Sequence, residues 1–388
     1  MDKKTILVTG GAGYIGSITT KQLLDDGYSV VVVDNLDSGH RKAVDKRAAF
    51  EQANVGDEAA MEKILRNYKI DAVIDFAAYL AVGESMDEPK KYLVNNVENF
   101  VKLLDCMKKC TIPIMIKSST ASTYGNPEKE SDFPLKENYQ ENYQPASSAL
   151  LEGIWDGENL AGEEFFQKII SYYQNLYRHR SDLQLSEDEI AKLRIPASVY
   201  GLTKLLDEII LNKYNQSSGM RWVALRYFNV CGASLDGNMG ENKPNPTTLM
   251  TTIFWGILGK TGKLNIFGDD YPTKDGTGIR DYIHPLDLAN GHIAALQYLF
   301  DKNEPAIFNL GNGVGYSVFD VIKAVETASG HGVEYEIKPR RSGDPAVSYC
   351  DPGKAQKILG WKARYSLMDM AETAWKWHSQ HPEGYDSK

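Results

Sequence analysis

Short runs rich in Val and Ile alternate with helical periodicities through the first half of the chain. TILVTG (5–10) leads into a helical stretch at SITTKQLLDDG (17–27), SVVVVD (29–34) into EAAMEKILRNY (58–68), and DAVIDFAA (71–78) into NFVKLLDCMKK (99–109). IPIMIKSS (112–119) follows, and a further helix is expected after Tyr200. Continuous apolar runs separated by helices predict a parallel sheet covered on both faces. The fold class is therefore α/β, a doubly wound Rossmann-type sheet. Beyond about residue 230 the pattern loosens into segments rich in Gly, Pro and Asn, as suits a smaller C-terminal lobe that shapes a substrate site. We expect one domain over 1–230 and a second over 231–388, with no internal repeat.

Composition narrows the class. A chain of 388 residues is too long for one ordinary core, which supports two lobes. The formal charge of -9 repels nucleic acid and anionic lipid, so neither is expected as a partner, and an anionic substrate needs a local basic pocket. Cys106, Cys110, Cys231 and Cys350 have no metal-ligand spacing, and the histidines form no cluster. Free thiols and no metal are expected. The apolar stretch at the amino terminus is too short for a signal segment, and no run approaches the roughly 20 residues that span a bilayer. A cytoplasmic location follows as an expectation.

After the first apolar run comes TGGAGYIG, with Gly10, Gly13 and Gly16 in GxxGxxG spacing. Such glycines permit a tight turn and close backbone approach, so a pyrophosphate can sit on the N-terminus of the next helix. A glycine turn without a ligand would look the same in isolation. Two features of the context favour a dinucleotide: the motif lies between a predicted strand and helix, and Asp34 ends the next strand. A carboxylate there accepts ribose hydroxyls and repels a 2′-phosphate, which favours NAD over NADP. Arg41 and Lys42 read as solvated charges.

SVYGLTK places Tyr200 and Lys204 four residues apart at a helix start, on one face. A free phenol, with a pKa of about 10, is a poor base. An ammonium at roughly 5 Å and an effective dielectric of about 20 is worth ~3 kcal/mol, or about two pKa units. That would bring Tyr200 into working range. An ordinary amphipathic helix also places Tyr and Lys at this spacing, so the pair gains weight only beside the glycine motif. Ser118, Ser119 and Thr120 end a strand where α/β sheets bind ligands, and a hydroxyl there can bond a reacting oxygen.

With these motifs in place, the chain resembles the UDP-glucose 4-epimerase family from end to end. The matching runs are VTGGAGYIGS, DNL, AVGES, NNV, SSTASTYG, VYGLTK, LRYFNVCGA, FGDDYPTKDGTGIRDYIHPLDLANGH, NLGNGVGYSV, RRSGD and WHSQHPEGY. The resemblance implies a catalytic trio of Tyr200, Lys204 and Thr120, with Thr where many members have Ser. It implies NAD contacts from Gly10, Gly13, Tyr14, Ile15, Gly16, Asp34, Asn35, Asn54, Val55, Phe76, Ala77, Asn95, Lys204 and Phe228. Substrate contacts are implied for Thr120, Tyr200, Asn229, Thr248, Leu249, Phe267, Arg280, Arg341, Asp344 and Ser348. Arginine forks suit a diphosphate, and Asp344 suits the uridine ribose. His284 is expected to be structural. A homodimer is the family's usual state.

The activity so implied is interconversion of UDP-glucose and UDP-galactose through NAD-dependent oxidation and re-reduction at C4. Leu80, Asn54 and Thr248 depart from common family usage, each weakening one inferred contact. Ser348 stands where some members carry a bulky tyrosine, so UDP-N-acetylhexosamines are expected to be accepted too. An insertion at about 146–197 contains a helical stripe of Phe165, Ile169, Tyr172, Tyr173 and Leu176 and a capping box from Ser186 to Glu189. It reads as a helical outgrowth, with a lid or subunit contact as the alternative. Ala121 and Ser122 after Thr120 argue against a dehydratase. A UDP-glucuronate decarboxylase or epimerase is the nearer enzymatic rival, and a non-catalytic NAD-sensing protein is the rival from another class.

Overall fold

The computed structural model describes residues 3–138 except 126, 128 and 129, and residues 196–386 except 244, 245, 303, 342 and 343. The stripe and capping box expected in the insertion fall outside these residues. The first strands follow the apolar runs: β1 (Thr5–Thr9), β2 (Ser29–Asp34), β3 (Ala49–Gln52), β4 (Ala72–Asp75), β5 (Ile114–Thr120) and β6 (Arg221–Tyr227). The later ones are β7 (Asn229–Val230), β8 (Leu264–Phe267), β9 (Ile279–Ile283), β10 (Ala306–Leu310), β11 (Gly315–Ser317), β12 (Tyr335–Lys338) and β13 (Val347–Ser348). The main sheet is wholly parallel in the order β10-β6-β5-β4-β1-β2-β3. Strand order reverses between β1 and β4, the topological switch point where such sheets bind ligands.

Burial on both faces explains the unalternating runs, since β4 and β5 are buried along their whole length. Strand β3 escapes the pattern because it is short and half-exposed at the sheet edge. The main helices are α1 (Tyr14–Asp25), α2 (Glu58–Asn67), α3 (Asn99–Lys109), α4 (Val199–Ser218), α5 (Leu249–Ile257), α6 (Pro285–Asp301), α7 (Val318–Ser329) and α8 (Leu367–Gln380). One apolar cluster joins one sheet face to α2, α3 and α4, while a second joins the opposite face to α6. The chain beyond residue 230 therefore returns to the main sheet through α6 and β10 before it completes the smaller lobe.

That smaller lobe holds β9 flanked by β11 and β13, with β7 also on β9, and a separate β8–β12 pair. Helices α5, α7 and α8 cover it through a third cluster. Ser317 with Asp320 and Ser366 with Asp369 form capping boxes that start α7 and α8. His284 caps α6: Nδ1 accepts from the Leu286 amide at 3.2 Å, Nε2 faces Thr373 Oγ1 at 3.0 Å, and the ring stacks on Tyr365. Burial holds its pKa down at about 4, so it stays neutral in a structural role. All four cysteines are free, and among the described residues no helix is long and apolar enough to cross a membrane.

Helix α4 lies on the sheet through buried ions. Glu208 accepts from Arg226 of β6 at 2.9 and 2.5 Å and from Ser119 of β5 at 2.6 Å. Glu208→Ala would deprive the buried Arg226 guanidinium of its carboxylate, so it is expected to lower stability by about 3–5 kcal/mol. The denaturant midpoint measures this, and an unchanged midpoint would show that the ion pair does not hold the helix.

Candidate active site

The glycine turn closes against the end of β4. Gly10 has φ +67, and a Cβ there would lie 2.8 Å from Ala77 N and from the Phe76 carbonyl carbon. At Gly16 a Cβ would lie 2.3 Å from Gly10 O. The chain can turn this tightly only without side chains. Gly13 caps α1 without a side-chain bond, leaving the first-turn amides from Tyr14, Ile15 and Gly16 free of intrahelical partners. Asp34 is buried at the end of β2, where its carboxylate accepts from Ala12 N at 3.0 Å and Leu36 N at 2.8 Å. Burial raises its pKa and these amides oppose the rise. The turn and the carboxylate at the switch point fit a dinucleotide.

Asn35 is exposed, with its side-chain oxygen accepting from Asp37 N. Asn54 is exposed too, and its oxygen accepts from Gly56 N at 2.8 Å. Val55 is half-buried against the α2–α3 core. Phe76 rests on the ring of His292 at 4.7 Å. The Tyr14 hydroxyl donates to Gly232 O of the smaller lobe at 2.7 Å, while its amide stays at the open N-terminus of α1. Asn95 is half-buried in a π-helical turn, Leu93–Glu98, and donates to Asn96, which in turn bonds Tyr79 and Thr203. Such turns often mark functional sites. Leu80 is exposed beside this region.

Helix α4 presents Tyr200 and Lys204. Ser198 caps it by accepting from Gly201 N, and a Cβ on Gly201 would sit 2.7 Å from Ser122 O, so the first turn rests directly on the chain after Thr120. Tyr200 N donates to Ser85 Oγ at 3.1 Å, and the Thr120 side chain is close enough to the phenol to act on its pKa. Lys204 Nζ donates to Ser118 O at 3.0 Å and Ser118 Oγ at 3.3 Å. The trio is assembled at the carboxyl end of β5.

Its electrostatics differ from the sequence expectation. The Tyr200 pKa is raised to about 12, mostly by burial, with Thr120 opposing the rise. Lys204 is lowered to about 7, by burial first and then by the charge of Lys117. The two-unit lowering of Tyr200 by Lys204 is absent, because the pairwise estimate left out the desolvation of both groups.

Lys117, Asp75 and Asp207 were not singled out in the sequence. Lys117 is fully buried, paired with Asp75 and 3.0 Å from Asp207 Oδ2, while Thr9 donates to Asp75. A lysine inside the apolar run of β5 was the available signal, since a charge there must be paired.

On the smaller lobe, parallel and antiparallel register place Ser348, Arg280 and Tyr316 side by side, and Asn229 beside Tyr282, on one face of the β9 sheet. Arg280 is half-buried, and the loss of water costs its guanidinium some basicity that Asp344 partly restores. Arg341 lies over the Phe267 ring at 4.1 Å and 3.5 Å from Asp344. These groups form a cationic and aromatic ledge. Phe228 is buried in a separate small cluster with Tyr124, Leu135 and Cys350, and Leu249 opens α5. Thr248 caps α5 without a cap bond because its hydroxyl goes to Glu241 at 2.6 Å.

The model of the NAD dependent epimerase/dehydratase family matches residues 6–152, and that of GDP-mannose 4,6 dehydratase matches residues 178–374. A UDP-glucose 4-epimerase of Lactobacillus helveticus is 38% identical over 99% of both chains. Among solved structures, UDP-glucose 4-epimerase from Bifidobacterium longum, in complex with NAD+ and UDP, is 36% identical with a TM-score of 0.79, covering 98% of this chain and 100% of its own. The UDP-Glc/GlcNAc 4-epimerase of Campylobacter jejuni is 33% identical with a TM-score of 0.72, covering 97% and 99%.

Gly16→Ala would force the α1 N-terminus off the Gly10 carbonyl. Loss of dinucleotide binding by titration calorimetry is expected, with a lowered melting temperature; unaltered affinity would dissociate the turn from the cofactor.

Proposed function

The chain belongs to the UDP-glucose 4-epimerase family, and from that premise we propose that it interconverts UDP-glucose and UDP-galactose at C4 of the hexose, with Tyr200, Lys204 and Thr120 at the reacting carbon. One observation carries the assignment of these residues: Lys204, one turn after Tyr200 on α4, is held by the carbonyl and hydroxyl of Ser118 at the end of β5, two residues before Thr120. NAD would be held on the Gly10–Gly16 turn with Asp34 toward the adenosine ribose, and would supply a hydride acceptor and donor for C4 of the hexose. Val55, Phe76, Ala77, Asn95 and Phe228 would complete the pocket.

Tyr200 takes the proton of the 4-hydroxyl, and Thr120 holds that oxygen in line. Burial keeps the phenol protonated in the protein alone, so positive charge beside it must favour the phenolate during reaction. Lys204 supplies part of that charge. The 4-keto sugar then turns over, which requires a firmly held nucleotide and a loosely held hexose. Arg280 and Arg341 would grip the diphosphate while Asp344 and Phe267 position the uridine. Asn229, Thr248 and Leu249 would border the sugar.

Ser348 is the register partner of Arg280 and has a small side chain. Room for a 2-acetamido group follows, so UDP-GlcNAc and UDP-GalNAc are proposed as further substrates. The division of labour is likewise a proposal: the dinucleotide over 1–230 and the sugar nucleotide over 231–388, with β10 of the latter segment completing the main sheet. A cytoplasmic homodimer without nucleic-acid or membrane partners is proposed from the charge balance and the family.

Tyr200→Phe is expected to reduce kcat at least 10²–10⁴-fold in a coupled assay with UDP-galactose; parental speed would remove Tyr200 from the chemistry. The same assay with UDP-GalNAc is expected to show turnover, and none beside good turnover of UDP-galactose would refute the wider specificity.

A further inference from the structure

Between sheet and catalytic helix lies a set of buried charges that the proposed chemistry leaves without a role. Lys117 projects from β5 with its ammonium 3.7 Å from the Phe100 ring centroid of α3, between Asp75 of β4 and Asp207 of α4. Asp207 lies three residues after Lys204, on the same face of α4. Lys204 itself is held by the carbonyl and hydroxyl of Ser118, the residue after Lys117. Two ammonium groups and two carboxylates thus share one dry interface directly beneath Tyr200. A purely structural tie would need one pair.

We propose that Lys117, clamped by Asp75 and Asp207, is a positioning residue that sets the charge on Lys204, and with it the pH range in which Tyr200 exchanges a proton with the sugar. The inference rests on the roles given above to Tyr200 and Lys204. Burial disfavours charge on Lys204 most, and the Lys117 cation disfavours it further, whereas Asp207, Asp75 and Glu208 favour it. From the surrounding elements, Lys204 therefore meets Asp75 on β4, Lys117 and Ser118 on β5, and Asp207 and Glu208 on its own helix. Tyr227 on β6 faces the same cluster, its phenol pushed up by burial and by the nearby Tyr200 and Asp75. Because the opposing charges sit on either side of one ion pair, removing its two partners must move Lys204 in opposite directions. Loss of Lys117 raises the Lys204 pKa, and loss of Asp207 lowers it.

The test is the pH profile of kcat for the NAD-loaded enzyme with UDP-galactose. The parent should show a limb near the Lys204 value of about 7. Lys117→Met should move that limb up, and Asp207→Asn should move it down, each by about one pH unit. Both variants break the same ion pair, so a merely structural role would lower the melting temperature in both and displace neither limb in opposite directions. Movement in the same direction, no movement, or a flat parental profile across neutrality overturns the proposal. Should Lys117→Met fail to fold, the parental profile and Asp207→Asn decide it: a downward limb supports it and an unmoved limb overturns it. An inactive parent sinks the reading of the site and this inference together, whereas an active parent with unmoved limbs sinks this inference alone.

Discussion

The packing of one helix on one sheet through buried charge governs this molecule. Burying an ion without partners is costly, so Glu208 against Arg226 and Ser119, and Asp207 against Lys117, can be satisfied in only one register of α4. A slip of one residue would rotate the helix by about 100° and move it about 1.5 Å, stranding every pair at once. Asn96 bonding Thr203, and Gly201 against the Ser122 carbonyl, add the same constraint at the helix start. Tyr200 consequently meets Thr120 by construction, and the reacting groups inherit the rigidity of the core.

The same principle of close approach organises the rest of the site. The glycine turn can touch the β4–Phe76 backbone only because it lacks side chains, which brings the α1 N-terminus to the switch point. Tyr14 then ties that turn to Gly232, and α6 and β10 tie the smaller lobe to the main sheet. The ledge of Arg280, Arg341 and Phe267 is thereby held at a fixed relation to Tyr200, as a reaction between two bound molecules demands.

Charge on Tyr200 and Lys204 follows burial more than pairing, whereas Lys117 and Asp75, equally buried, are kept charged by their partners. A Coulomb estimate between Tyr200 and Lys204 gives the sign of their mutual influence and misses its context, because both side chains are almost wholly out of water. Desolvation pushes phenol and ammonium toward their neutral forms, and the neighbouring ions adjust the remainder. Three buried histidines obey the same rule: His284, His292 and His378 are held near 4 by burial, which suits packing and capping better than proton transfer.

Much of this was legible in the chain. Runs such as SVVVVD and IPIMIKSS mark their strands because both faces of a parallel sheet are buried, and the glycine motif marks the turn because Gly10 and Gly16 have no room for a side chain. Spacing alone put Tyr200 and Lys204 on one face. The edge strand Ala49–Gln52 was not legible, since short half-exposed strands carry little periodicity, nor was the return of 306–310 to the main sheet. Asp75, Lys117 and Asp207 lie far apart in sequence, and no local rule pairs them. Sequence determined which elements form and which chemistry each can bear, because those depend on neighbours along the chain. Tertiary structure decided which charges meet and how much water they lose, because both are properties of groups that only folding brings together.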